Sequence, residues 1–420
     1  MVFQRTTLNN GIRIITERMP HVRSVTIGFW VGVGARDEPQ EISGISHFIE
    51  HMLFKGTATR TARQLAEIFD SMGGELNAFS AKEYTCYYAK ILDSDLDKAI
   101  ELMTDMLFNP LLEPKDIDAE RKVILEEISM HEDSPDDIVH DLFASALWES
   151  HPLGQSVLGH LNVVKTLRRD EITSFYRQYY QPGDIVVAAA GNVDHERFCG
   201  LVDKFTQALE GRERVERHQL LPDIRPHIAV YKRQTEQAHI VIGTEGLPRN
   251  HPDRFVFAII DNLLGGGMSS RLFQKIREEK GLAYSIFSYH SMFADTGLMA
   301  IYAGSSPSNA QVIMDLIKEE IRDLLDRGIK DEELARAKGH IKGSLVLGLE
   351  DSSGRMTRLG KSELCRGEIL SLDELIDRVD SVTRDKVEEL TRNLFGAGRF
   401  VVTILGPFEE KSFQPHLFEV

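Results

Sequence analysis

His47, Glu50 and His51 fall within five residues, in the order His-Phe-Ile-Glu-His. Ile42, Ile45, Phe48, Ile49, Met52, Leu53 and Phe54 surround them, and the pattern predicts an apolar helix over residues 43–54. Positions four apart on a helix lie about one turn apart on one face, so the two imidazoles point the same way. Two neutral imidazoles in that relation can share one Zn²⁺. Glu50 sits beside the same face, where a carboxylate can take a proton from a water without itself holding the metal. A polar triplet on a helix that is apolar on most sides needs partners, because unpaired buried polar groups are costly. A metal ion would supply them.

A zinc site that does chemistry takes three protein ligands and keeps one open position. The predicted helix at 114–132 can donate the third, since it carries Glu120, Glu126, Glu127 and Glu132. Positions 120, 124, 127 and 131 share one helical face. Glu120 and Glu127 therefore point the same way, alongside Ile124, and Glu126 lies about 100° away from Glu127. Helical phase nominates the pair Glu120 and Glu127 and leaves open which of them binds the metal.

The elements that must position these groups recur along the chain. Asp170 to Gly191 and Asp385 to Gly406 align without a gap at an offset of 215 residues. Asp170, Arg177, Gly183, Val186, Val187 and Gly191 match Asp385, Arg392, Gly398, Val401, Val402 and Gly406. Each segment reads as a helix, a glycine turn and a buried strand. The same offset pairs Val25-Thr26-Ile27-Gly28 with Ile240-Val241-Ile242-Gly243. A duplication follows: two similar α+β halves, 1–215 and 216–420, with the charged segment Gly211–Arg217 as linker. In the first half we expect a hairpin over 7–17 turning at Asn9-Asn10-Gly11, a strand at 25–32 and a helix at 61–72 stopped by Gly73-Gly74. A strand-like stretch over 75–92 and helices near 94–108, 114–132 and 135–149 complete it.

Composition narrows the functional classes. The chain has 420 residues, 42% of them hydrophobic, enough for more than one core. A net charge of −16 with no Lys/Arg block argues against nucleic acid, whose phosphates need a clustered basic surface. Cys86, Cys199 and Cys365 are scattered and odd in number, which reads as free thiols in a reducing compartment. No apolar run is long enough to span a bilayer and Met1–Thr6 starts no signal segment, so the expected location is cytoplasmic.

The motif is the reverse of His-Glu-x-x-His and is a metallopeptidase signature. With its continuation through Met52-Leu53-Phe54-Lys55-Gly56-Thr57 it resembles the zinc helix of the pitrilysin/insulinase superfamily. The resemblance is closest to the branch of mitochondrial processing peptidase and its bacterial relatives. It runs almost end to end and implies a clamshell of two α+β halves, each a mainly antiparallel sheet flanked by helices. It also implies that the third ligand is Glu127, 76 residues beyond His51, and that Glu120 supports the site. By the same resemblance, Asn77, Ala78 and Phe79 lie on an edge strand that pairs with extended substrate. Leu264–Phe273 is similar to the family's glycine-rich loop. Arg277 and Tyr284 are similar to an Arg/Tyr pair that contacts substrate, and Asp137 and Asp141 to carboxylates that receive an arginine upstream of the cut. The implied protein is a peptidase with one zinc per chain, working on unfolded peptides, as a homodimer. The second half carries no motif of its own: Ala258 and Asn262 stand against His47 and His51. The alternatives are a peptidase-inactive partner subunit and a peptide-binding module.

Overall fold

The computed structural model describes residues 3–211, 217 and 221–413; residues 212–216 of the expected linker lie outside them. The described chain forms two compact units, each built on one sheet.

The first unit begins with a hairpin that starts four residues before the expected 7–17, β1 (Phe3–Thr7) and β2 (Arg13–Arg18), followed by β3 (Ser24–Val31). Helix α1 (Ile45–Met52) is shorter than expected, because Gly44 adopts φ 91° and breaks the helix ahead of Ile45. Helix α2 (Ala62–Ser71) starts on a capping box between Thr61 and Gln64. The strand-like stretch over 75–92 is a hairpin rather than one strand: β4 (Glu75–Ser80) and β5 (Thr85–Leu92) join through Ala81–Tyr84. Helices α3 (Leu96–Phe108), α4 (Pro114–Glu132) and α5 (Pro135–Trp148) follow. After a single turn, α6 (Leu161–Val164), come α7 (Arg169–Tyr179), β6 (Ile185–Gly191) and α8 (His195–Thr206).

The sheet order is β1-β2-β6-β3-β5-β4, with only β2 and β6 parallel. Side chains alternate across it, as strand geometry requires. Val25, Ile27, Phe29 and Val31 of β3 join α1, α3 and α7 in one core, whereas Trp30 turns to the opposite face. Ile185, Val187 and Ala189 of β6 make the same division against Val186, Ala188 and Ala190. Burial on both faces explains why these strands read as unbroken apolar runs.

The second unit repeats this plan. It contains β7 (His227–Lys232), β8 (Ala238–Gly246), α9 (Arg254–Leu264), β9 (Ala283–Met292) and β10 (Gly297–Ser305). Helices α10 (Ala310–Arg327), α11 (Asp331–Gly348), α12 (Ser352–Cys365), α13 (Leu372–Asp380) and α14 (Arg384–Phe395) lead to β11 (Val401–Gly406). The sheet order is β7-β11-β8-β10-β9, with β7 and β11 parallel. The strands β3 and β8 and the pairs α7–β6 and α14–β11 stand where the repeat pairs them.

The compact units depart from a division at 215/216 in one respect. Residues 130–154, with α5, belong to the second unit, and residues 346–371, with α12, to the first. Helix α5 lays Val139, Phe143 and Leu147 on Val241, Ala300, Val401 and Leu405. Helix α12 lays Met356, Leu359 and Leu364 on Ile15, Trp30, Val186 and Ala188. The repeat offset brings these helices into register, so the exchange is reciprocal. Gly28 and Gly243 are its local requirement: a Cβ on Gly28 would lie 2.3 Å from Met356 Sδ, and one on Gly243 2.5 Å from Phe143 Cζ.

Candidate metal centre

Helix α1 presents His47 and His51 from one face, with ring centroids 4.7 Å apart. Its start is held by a residue that sequence reading passed over. Glu38 accepts hydrogen bonds from the backbone N–H of Gly44 at 2.6 Å and of Ser46 at 2.8 Å. The N-cap itself, Gly44, has no side chain to do this, and orphan amides at a helix start require an acceptor. Burial pushes the Glu38 carboxyl up to about 7, against the pull of those amides.

Helix α4 crosses beside α1 with the phase read from its spacing. Ile117, Glu120, Ile124 and Ile128 are buried, Glu127 is half-buried and Glu126 is exposed. Arg121 fixes the crossing: its guanidinium donates to the carbonyls of Val164 and Leu167 and lies over the Phe48 ring at 5.5 Å. Glu127 Oε2 consequently stands 3.6 Å from His47 Nε2 and 3.5 Å from His51 Nε2.

One ligand atom from each of His47, His51 and Glu127 falls within 4.8 Å of the others, the only such group of three among the described residues. Burial, and then the neighbouring His51, push the His47 imidazole down to about 3, so it is neutral at ordinary pH. It therefore forms no ion pair with Glu127. His51 contacts Glu120 Oε2 through Nδ1 at 3.1 Å, which directs a proton to Nδ1 and leaves Nε2 as a lone pair. The Nε2 atoms of the two imidazoles thus converge with a carboxylate oxygen of Glu127. That nitrogen and oxygen set fits zinc, and a cation removes the mutual repulsion.

Glu120 is the buried neighbour of this set. Lys55 Nζ lies 2.5 Å from its Oε1, so the carboxylate is gripped on one side by a cation and on the other by His51. Lys55 belongs to the motif by sequence, but its partner became visible only with α4 in place. Glu50 projects from α1 next to His51. Ser80, at the end of β4, donates its hydroxyl to Glu50 Oε2 at 2.6 Å. Burial raises the Glu50 carboxyl above the ordinary glutamate value. A partly desolvated carboxylate of this kind is suited to accept a proton.

Of the other expected site residues, Asn77, Ala78 and Phe79 lie on β4, which among the described residues is hydrogen-bonded on one side only, to β5. Phe79 anchors this edge strand by packing edge-on to Trp30 at 5.8 Å. Asp137, Asp141, Arg277 and Tyr284 lie in the second unit. Asp137 accepts from Ser134 Oγ at 2.6 Å, a helix-start interaction, and Asp141 lies 3.2 Å from His131 Nε2. Arg277, on a π-helical turn Phe273–Glu279, stacks over Tyr284 at 5.7 Å and Phe273 at 4.8 Å. Tyr284 is exposed. Where α1 has Glu50, in the alignment that sets Ala258 and Asn262 against His47 and His51, α9 has Asp261, which binds Ser288 and His290 at 2.5 and 2.7 Å.

The roles of Glu126 and Glu127 can be separated directly. Glu127→Gln should lose most of its zinc on dialysis and Glu126→Gln almost none, by metal analysis of the two purified proteins. The reverse order would contradict the crossing of α1 and α4.

The model of insulinase (peptidase family M16) matches residues 13–160, and that of the peptidase M16 inactive domain matches residues 166–340. A Streptomyces coelicolor protein named as an uncharacterized zinc protease is 45% identical over 97% of this chain and 90% of its own length. A Bacillus subtilis protein of the same description is 42% identical over 94% of this chain and 96% of its own. The chain belongs to peptidase family M16. A Helicobacter pylori protease structure superposes with a TM-score of 0.92 at 22% identity, covering 97% of this chain and 99% of that one, which establishes the shared fold. No helix among the described residues is long and apolar enough to cross a membrane.

Proposed function

We propose that this protein is a zinc-dependent endopeptidase acting on extended or unfolded peptides. The observation that carries the reading is the convergence of His47, His51 and Glu127 with Glu50 at its side. Zinc held there supplies a Lewis acid that acidifies water and draws charge from a carbonyl oxygen. The chain does the rest. Glu120 and Lys55 hold His51 in the tautomer that faces inward. The main chain of Asn77, Ala78 and Phe79 aligns the peptide as an added strand on β4. Glu50 accepts the proton of the attacking water and returns it to the departing amine. Arg277 and Tyr284 are assigned to substrate binding by the sequence resemblance. One zinc per chain, a homodimer and a cytoplasmic location belong to the same reading, on the strength of the sequence resemblance.

A partner subunit without activity is the less favoured reading, since every part of the motif is present. The substrate reading also assigns Asp137 and Asp141 to an arginine shortly before the cut, bound by charge-assisted hydrogen bonds. One assay tests both. Matched unstructured peptides, with Arg or a neutral residue before the scissile bond, are offered to the enzyme with and without a chelator. Chelation should abolish cleavage, zinc should restore it, and the Arg peptide should be cut faster at low salt. Undiminished cleavage after complete zinc removal would refute the function. Equal rates for the two peptides would return the aspartates to the contacts with Ser134 and His131.

A further inference from the structure

Glu50 reaches its place on a side chain with three rotatable bonds, so its carboxylate needs an external hold to stay aligned. Ser80 supplies it: its hydroxyl donates to Oε2 at 2.6 Å, and its backbone N–H also faces the carboxyl. Ser80 is itself rigidly placed. Phe79 beside it is wedged against Trp30 and Tyr84, at 5.8 and 6.2 Å. The turn that follows is tied down by its backbone: Ala35 N–H donates to Ala81 O at 3.1 Å and Arg36 N–H to Lys82 O at 2.7 Å. Beneath it lies a buried ion pair, Arg36 with Glu83 at 2.7 Å. Arg217 extends that pair to Asp37 by two bonds of 2.7 Å.

We infer that Ser80 is the positioning residue of the base: its hydroxyl fixes Glu50 Oε2 and so holds the carboxylate in place for the proton of the attacking water. This inference rests on the peptidase reading above. It adds a link that reading does not contain. Residues 77–79 of β4 are the proposed track for the peptide backbone and residue 80 of the same strand sets the base. The contribution belongs to the chemical step, so it appears in kcat rather than in peptide affinity. A hydrogen bond to a charged group, lost without replacement, corresponds to about a tenfold fall.

The test uses the zinc-loaded full chain in three variants. Ser80→Ala should lower kcat about tenfold, leave KM within about twofold and keep wild-type zinc content and melting temperature. Ser80→Thr, which retains the hydroxyl, should restore kcat. In crystals of the metal-free Ser80→Ala protein the Glu50 carboxylate should leave its present position, and in Ser80→Thr it should keep it. Glu50→Gln, measured alongside, separates the two ideas. If Glu50→Gln is inactive while Ser80→Ala turns over like the wild type, the positioning role is wrong and the base survives. If Glu50→Gln is fully active, the base assignment fails and takes this inference with it. A Ser80→Ala protein that loses zinc, or a Ser80→Thr protein as slow as Ser80→Ala, would mean that the serine is structural and would also overturn it.

Discussion

Glu50→Gln should retain zinc and fold while losing turnover by about 10²–10⁴-fold, the usual contribution of a positioned base. The substitution keeps the shape of the side chain and an oxygen that can accept from Ser80. It removes only the capacity to take a proton. Because Glu50 is not among the three atoms that converge as ligands, metal content should be unchanged. Burial already disfavours the charged carboxylate, so a neutral amide is tolerated there and the melting temperature should hold or rise. The measurement is kcat on an unstructured peptide, with zinc content determined on the same sample. Wild-type turnover would remove Glu50 from the chemistry.

The second large effect concerns metal retention. His51→Ala should reduce bound zinc to background and abolish activity. This variant is the cleaner of the two histidine tests. His47 is almost fully buried, so its truncation also opens a cavity in the core. The His51 side chain is 20% exposed, and Glu120 keeps Lys55 as a partner when His51 is gone. The cap on α1, made by Glu38, is untouched. A folded, zinc-free protein is therefore expected, by circular dichroism and metal analysis together. Full zinc retention would show that the ligands lie elsewhere.

Helical periodicity nominated the candidate centre from sequence alone. The i, i+4 relation of His47 and His51 and the shared face of Glu120 and Glu127 are local properties, and α1 and α4 keep them. The choice of Glu127 over Glu120 is different in kind. It depends on where α4 crosses α1, which Arg121 sets through carbonyls more than 40 residues away. The roles of Glu38, Lys55 and Ser80 were illegible for the same reason, since each acts through a partner brought close only by folding. The hairpin within 75–92 was missed because its turn, Ala81-Lys82-Glu83-Tyr84, contains no glycine or proline. It is held instead by Arg36 and by backbone bonds to 35 and 36.

The exchange of α5 and α12 had a signal that went unread. Gly28 and Gly243 occupy equivalent, fully covered strand positions, where glycine is otherwise a poor choice. Equivalent glycines inside two buried strands imply that something on each face comes closer than a Cβ permits. Met356 and Phe143 are those neighbours.

The most direct test of the central claim is anomalous diffraction from crystals of the zinc-loaded protein, recorded on both sides of the zinc absorption edge. The account predicts one strong peak per chain, in bonding contact with His47 Nε2, His51 Nε2 and an oxygen of Glu127 and next to Glu50. Loaded crystals with no peak at those three atoms, or with the zinc bound only at another site, would contradict it.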